Sequence, residues 1–131
     1  MSNWTHVAGV VRIDNIEHLT GKLNVTNIFG KECLWESDEL TWHDANNNPE
    51  KYLPMGSEGS LQIAVWENPD KHCCDAYTIS VFGDLRDHDN PQEIINWFKL
   101  KIKDLWVRQA VITVDNEWSG TLTWVYGLGD N

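Results

Sequence analysis

Five stretches of this chain alternate apolar and polar residues with a period of two, and one sharply started helix lies between the third and the fourth. In residues 4–13, Val7, Gly9, Val11 and Ile13 alternate with Ala8, Val10 and Arg12, which reads as a mostly buried strand. Residues 60–66 set Leu61, Ile63 and Val65 against Gln62, Ala64 and Trp66, and residues 76–82 put Tyr77, Ile79 and Val81 on one face. Asn68-Pro69-Asp70 turns the chain between these two, so they are expected to pair antiparallel. Residues 107–115 oppose Ala110, Ile112 and Val114 to Gln109, Val111 and Thr113, and residues 116–120 close a hairpin onto residues 121–126. The helix signal is Asn90-Pro91-Gln92-Glu93: Asn90 can cap, Pro91 suits the first turn, and Glu93 sits where a capping box places an acid. The helix then runs over 91–105, with Ile94, Ile95, Phe98, Ile102 and Leu105 as its buried stripe and Trp97 at the flank.

The rest is less regular. Residues 16–29 carry Ile16, Leu19, Leu23, Val25 and Ile28 at loosely helical spacing, interrupted by Gly21 and the β-branched Val25-Thr26. Residues 30–59 form an irregular insert, with a short strand over 40–42 and turn residues at Asn46-Asn47-Asn48-Pro49. An insert of that length in a compact domain suggests a functional or partner-ordered loop. Residues 83–90 read as a polar loop. The order strand, helix, insert, strand, strand, helix, strand, strand predicts one α+β domain over residues 1–131. Its expected architecture is a single-layer, mainly antiparallel sheet with two helices, ferredoxin-like (split βαβ) with an added C-terminal strand.

Composition bears on partners. The chain has 8 tryptophans in 131 residues, more than a core alone needs, which suggests an aromatic contact patch. Acids outnumber bases 20 to 10, for a net charge of −10. Such a field repels nucleic-acid phosphates and anionic membrane surfaces and favours a partner with a basic surface. Residues 1–6 lack a basic segment and the apolar run 7–11 is too short for a signal or a span, so a cytoplasmic location is expected. Cys33, Cys73 and Cys74 are odd in number with two adjacent, which argues against a disulfide framework.

No motif names a reaction. Asp84, Asp87, His88 and Asp89 gather carboxylates and an imidazole before a helix and would serve a metal-dependent hydrolase, the least favoured reading, since no metal-cage spacing is matched. Adjacent cysteines in a strand point to opposite faces, so His72, Cys73, Cys74 and Cys33 do not make a zinc site. The chain has no Gly-x-Ser-x-Gly elbow, and Gly56–Ser60 lacks the Lys-Ser/Thr that completes a phosphate loop. An RNA-binding sheet would need a basic patch and a glycine-aromatic strand motif, and neither is present. No catalytic residue, metal or cofactor is expected.

Four strings carry a resemblance: residues 4–14 (WTHVAGVVRID), 56–69 (GSEGSLQIAVWENP), 82–89 (FGDLRDHD) and 106–114 (WVRQAVITV). Together they resemble small uncharacterised accessory proteins encoded by phages and prophages of Firmicutes. The resemblance covers about two-thirds of the chain, skips residues 30–55 and implies no site residue. It implies a context in which small acidic proteins bind and block a host component. The first expectation is therefore a non-enzymatic, phage-type inhibitor of a host protein, including bacterial defence components, with Trp35, Glu36, Asp38, Glu39 and Trp42 as contacts. The alternative is a binder that sequesters a nucleotide signal, compatible with a homo-oligomer. Arg12, Arg86 and Arg108 would meet phosphate, with Trp66 or Trp124 stacking the base.

Overall fold

The computed structural model describes residues 2–15, 23–33, 41–69 and 75–127. Five strands form one antiparallel sheet: β1 (Trp4–Asn15), β2 (Gln62–Glu67), β3 (Asp75–Arg86), β4 (Trp106–Asn116) and β5 (Gly120–Val125), in the order β2-β3-β1-β4-β5. The helices are short: α1 (Val25–Phe29), α2 (Trp42–Asn46) and α3 (Pro91–Ile102).

The period-two pattern of β1 fixes which face is covered. Thr5, Val7, Val11 and Ile13 are buried, and each faces a matching position on the flanking strands: Val11 lies between Ile79 and Ala110, Val7 between Gly83 and Val114. Gly9 shares this face, where a side chain would meet Ile112 at 3.1 Å, so its missing Cβ makes room for the isoleucine. Helix α3 closes over these residues with Ile94, Ile95, Trp97, Phe98 and Ile102. Fully burying a side chain such as Phe98 contributes roughly 1.5–3 kcal/mol. Phe29 of α1 joins the same core and meets the Trp97 ring at 6.1 Å between centroids.

α3 starts as its sequence dictates. The Asn90 side chain accepts from the Glu93 amide and Pro91 occupies the first turn. It ends at Ile102, earlier than the expected residue 105, and Leu105 packs partly against the core from beyond its end.

Several local expectations are corrected. The helix expected over 16–29 is described only from Val25, where the Asn24 side chain caps it; residues 16–22 lie outside the described residues. Of the strand expected over 40–42, residue 40 lies outside the described residues, and Thr41 and Trp42 are instead the cap and first residue of α2. Thr41 Oγ1 accepts from the Asp44 amide and Asp44 accepts from the Thr41 amide, a reciprocal box that fixes a helix N-terminus. Among the described residues there are therefore three short helices, one more than expected.

The insert has its own small core of Cys33, Ala45, Tyr52 and Met55, with Trp42 packed against it. Asn46 clamps Met55 through both backbone groups, at 2.7 and 3.0 Å. The first half of the polar loop expected over 83–90 is strand, since β3 runs on to Arg86 with Leu85 fully buried between the outward Asp84 and Arg86, and residues 87–90 form the loop. Gly83 interrupted the apolar pattern in the sequence, but in the sheet it faces Val7 and contacts Leu61, so the ladder continues through it.

Candidate functional site

Among the described residues, no helix packs on the opposite face of the sheet. The register places its residues in rows across the strands. One row runs Gln62, Phe82, Ala8, Thr113, Thr123; the next runs Ala64, Ser80, Val10, Val111, Val125. Beyond them lies Trp66, Thr78, Arg12, Gln109, and Trp106 stands beside Asp14. Trp66 is 53% exposed, Phe82 43% and Trp106 53%. Large rings left this open on a surface of small apolar and hydroxyl side chains give a flat contact area that costs little side-chain entropy to order.

The two ends of this face are charged. At one, His6 Nδ1 lies 2.6 Å from Asp84 and Nε2 lies 3.1 Å from Glu117. The hydrogen bonds to Asp84 and then to Glu117 hold the imidazole pKa above its ordinary value. Asp115 stands in the same row as His6 and accepts from Thr121. At the other end, a shift of register between Arg12 and Ile13 lets Arg108 Nε reach Asp14 at 2.6 Å. The apolar middle thus has acids around His6 at one end, and at the other Asp14 paired with Arg108 beside Arg12.

The nucleotide set does not converge. Arg12 and Trp66 share one row of the uncovered face, separated by Thr78. Arg108 is engaged with Asp14, and Arg86 holds Glu58 at 2.8 Å. Trp124 lies on the helix-covered face, edge-on to Phe98 at 6.2 Å with Lys99 over its ring. Compared with known proteins, the chain matches no family model, no curated protein and no solved structure.

Of the expected protein contacts, Trp35, Glu36, Asp38 and Glu39 lie outside the described residues. Trp42 opens α2, stacks on His43 with centroids 3.9 Å apart, and is partly buried against the small core. The hydrolase set is divided: Asp87, His88 and Asp89 border one compartment beside α3, and Asp84 lies apart from them. Asp84 is on the uncovered face with His6, Asp87 accepts from Ser57 Oγ at 2.6 Å, and His88 is buried on the other side with its carbonyl bonded to Thr5 Oγ1. Burial pushes the His88 pKa below its ordinary value. Among the described residues no cluster of His, Cys, Asp or Glu suits a metal ion, and no helix is long and apolar enough to cross a membrane.

Phe82 and Trp106 were not picked out as contacts from the sequence. The signal was available for Phe82, since setting Ile79 and Val81 inward puts Ser80 and Phe82 outward. It was not for Trp106: counting back from inward Ala110 puts Trp106 inward, and the register shift between Arg12 and Ile13 turns it outward.

Proposed function

We propose that this chain is a non-enzymatic binding protein that occupies a surface of another protein through its uncovered sheet face. The observation that carries the reading is the exposure of Trp66, Phe82 and Trp106 together on the one face that no helix covers. Tryptophan anchors of this kind account for much of the affinity of protein contacts. Acids at the rim, with a net charge of −10, speed encounter with a partner whose own contact surface is apolar in the middle and basic around it. The phage resemblance of the four strings supplies the setting: a host protein in the host cytoplasm, with bacterial defence components as the first class to try. Trp35, Glu36, Asp38 and Glu39 would add acidic and aromatic contacts.

In the finer reading the architecture is ferredoxin-like with an added strand. Support comes from β3 lying between β1 and β2, and β1 lying between β3 and β4. The nucleotide reading keeps only Arg12 and Trp66 near each other and is set aside.

The test is affinity capture from a host lysate with wild-type chain and a Trp66→Ser/Trp106→Ser double variant. Both rings are largely in solvent, so the variant is expected to keep its melting temperature within a few degrees, as surface changes do. A polypeptide held by the wild type and lost by the variant supports the reading. The same polypeptide held equally by both overturns it.

A further inference from the structure

On the helix-covered side, a cleft separates α3 from the insert, and nothing above uses it. Among the described residues it has two adjoining compartments, of about 210 and 240 Å³, which share Asn46, His88 and Glu93. Tyr52, Pro54, Ile94, Trp97 and Leu100 wall the first compartment, an apolar slot. It is somewhat larger than a cavity of about 150 Å³ that holds benzene. Trp97 is 6% exposed and His88 7%, and Trp97 Nε1 and His88 Nδ1 have no hydrogen-bond partner. A buried polar atom left in that state is uncommon. Both side chains line the slot, so its floor carries an indole N–H and an imidazole nitrogen without partners.

The second compartment sets the charge. Asp87, Asp89 and Glu93 border it, with Trp42 and His43 at its side; among the described residues no lysine or arginine lines either compartment, and the neighbouring cation is Arg86, its Nε 3.9 Å from Asp87. Lys31 and Lys51 sit over the Tyr52 ring but line neither. Three carboxylates without a lining cation oppose phosphate or carboxylate ligands and favour an ammonium. We propose that this cleft binds a small planar aromatic molecule carrying a protonated amine, its ring in the slot against Trp97 and its amine toward Glu93, Asp87 and Asp89. The inference is independent of the sheet-face reading, since the two surfaces lie on opposite sides of the sheet.

The experiment follows the indole N–H signals of the full chain, labelled with nitrogen-15, during titration with tryptamine, indole and indole-3-acetate. Trp97→Phe identifies the Trp97 signal. Tryptamine is expected to shift that signal and to bind about tenfold more tightly than indole-3-acetate, a ratio that one favourable against one unfavourable charge contact supports. Glu93→Gln keeps the helix start and is expected to weaken tryptamine several-fold while leaving indole unchanged. Leu100→Ala, a change at an exposed residue of the slot, is expected to weaken both. The proposal is overturned if none of the three moves the Trp97 signal, if indole-3-acetate binds as well as tryptamine, or if the shifts fall on Trp66 and Trp106 instead.

Discussion

His6 and Asp84 face each other across the β1–β3 ladder, with the imidazole Nδ1 2.6 Å from a carboxylate oxygen. Glu117 reaches the other ring nitrogen, so a protonated His6 is held between two acids at the edge of the aromatic face. The folded pKa is raised above the ordinary 6.5. A raised histidine stabilises the fold below its unfolded pKa, and that contribution is lost as pH rises through the folded value. All three side chains are substantially exposed, so screening limits the effect to under about 1 kcal/mol. Urea unfolding of wild type and His6→Gln is expected to show a larger gap at about pH 5.5 than at about pH 9. A gap that widens toward high pH would contradict this assignment.

His88 has the opposite sign. Burial lowers its folded pKa below 6.5, so the unfolded chain takes up a proton that the folded chain refuses. Its contribution is therefore present above pH 6.5 and lost as pH falls toward the folded value. Titration followed by histidine NMR signals is expected to place His88 below 6.5 and His6 above it. Equal midpoints for the two rings would show that neither environment acts as described.

Much of this arrangement was legible in the sequence, and the parts that were not have physical reasons. The strands of β1, β2, β3 and β4 follow from Val7 to Ile13, Ile63 to Val65, Tyr77 to Val81 and Ala110 to Val114, because one-sided burial imposes a period of two. Asn90 and Pro91 marked the start of α3 because capping is local chemistry. The reach of β3 through Asp84 and Arg86 was hidden because polar residues on an uncovered face look like a loop when the partner strand is not known. Thr41 and Asp44 carried the capping signature of α2, but the turn residues that follow obscured it. That Trp66, Phe82 and Trp106 share one face required the strand order and the register shift in β4, which depend on contacts between distant parts of the chain.

The insert packs closely against β3, and this junction gives a stability test. Ser57 donates its amide to the Arg86 carbonyl, and the Arg86 amide donates to the Glu58 carbonyl. Gly59 adopts a φ of +81°, and a Cβ there would lie 2.0 Å from the Asp84 carbonyl oxygen. Gly59→Ala must therefore bear both a left-handed backbone and a collision with main chain. It is expected to lose about 2–4 kcal/mol in denaturant unfolding, in the range of strain and overpacking changes. A loss within the small range of ordinary surface substitutions would mean that the insert does not sit against β3.

The central claim is that the uncovered sheet face, and not the helical side, meets the partner. It is tested most directly by placing a photoreactive amino acid at Thr113, in the middle of that face, or at Gln92, exposed on α3, and irradiating cells of the host. The account expects the Thr113 chain to cross-link to one host polypeptide and the Gln92 chain to leave that polypeptide unlinked. Cross-linking from Gln92 alone, or from neither position, would contradict it.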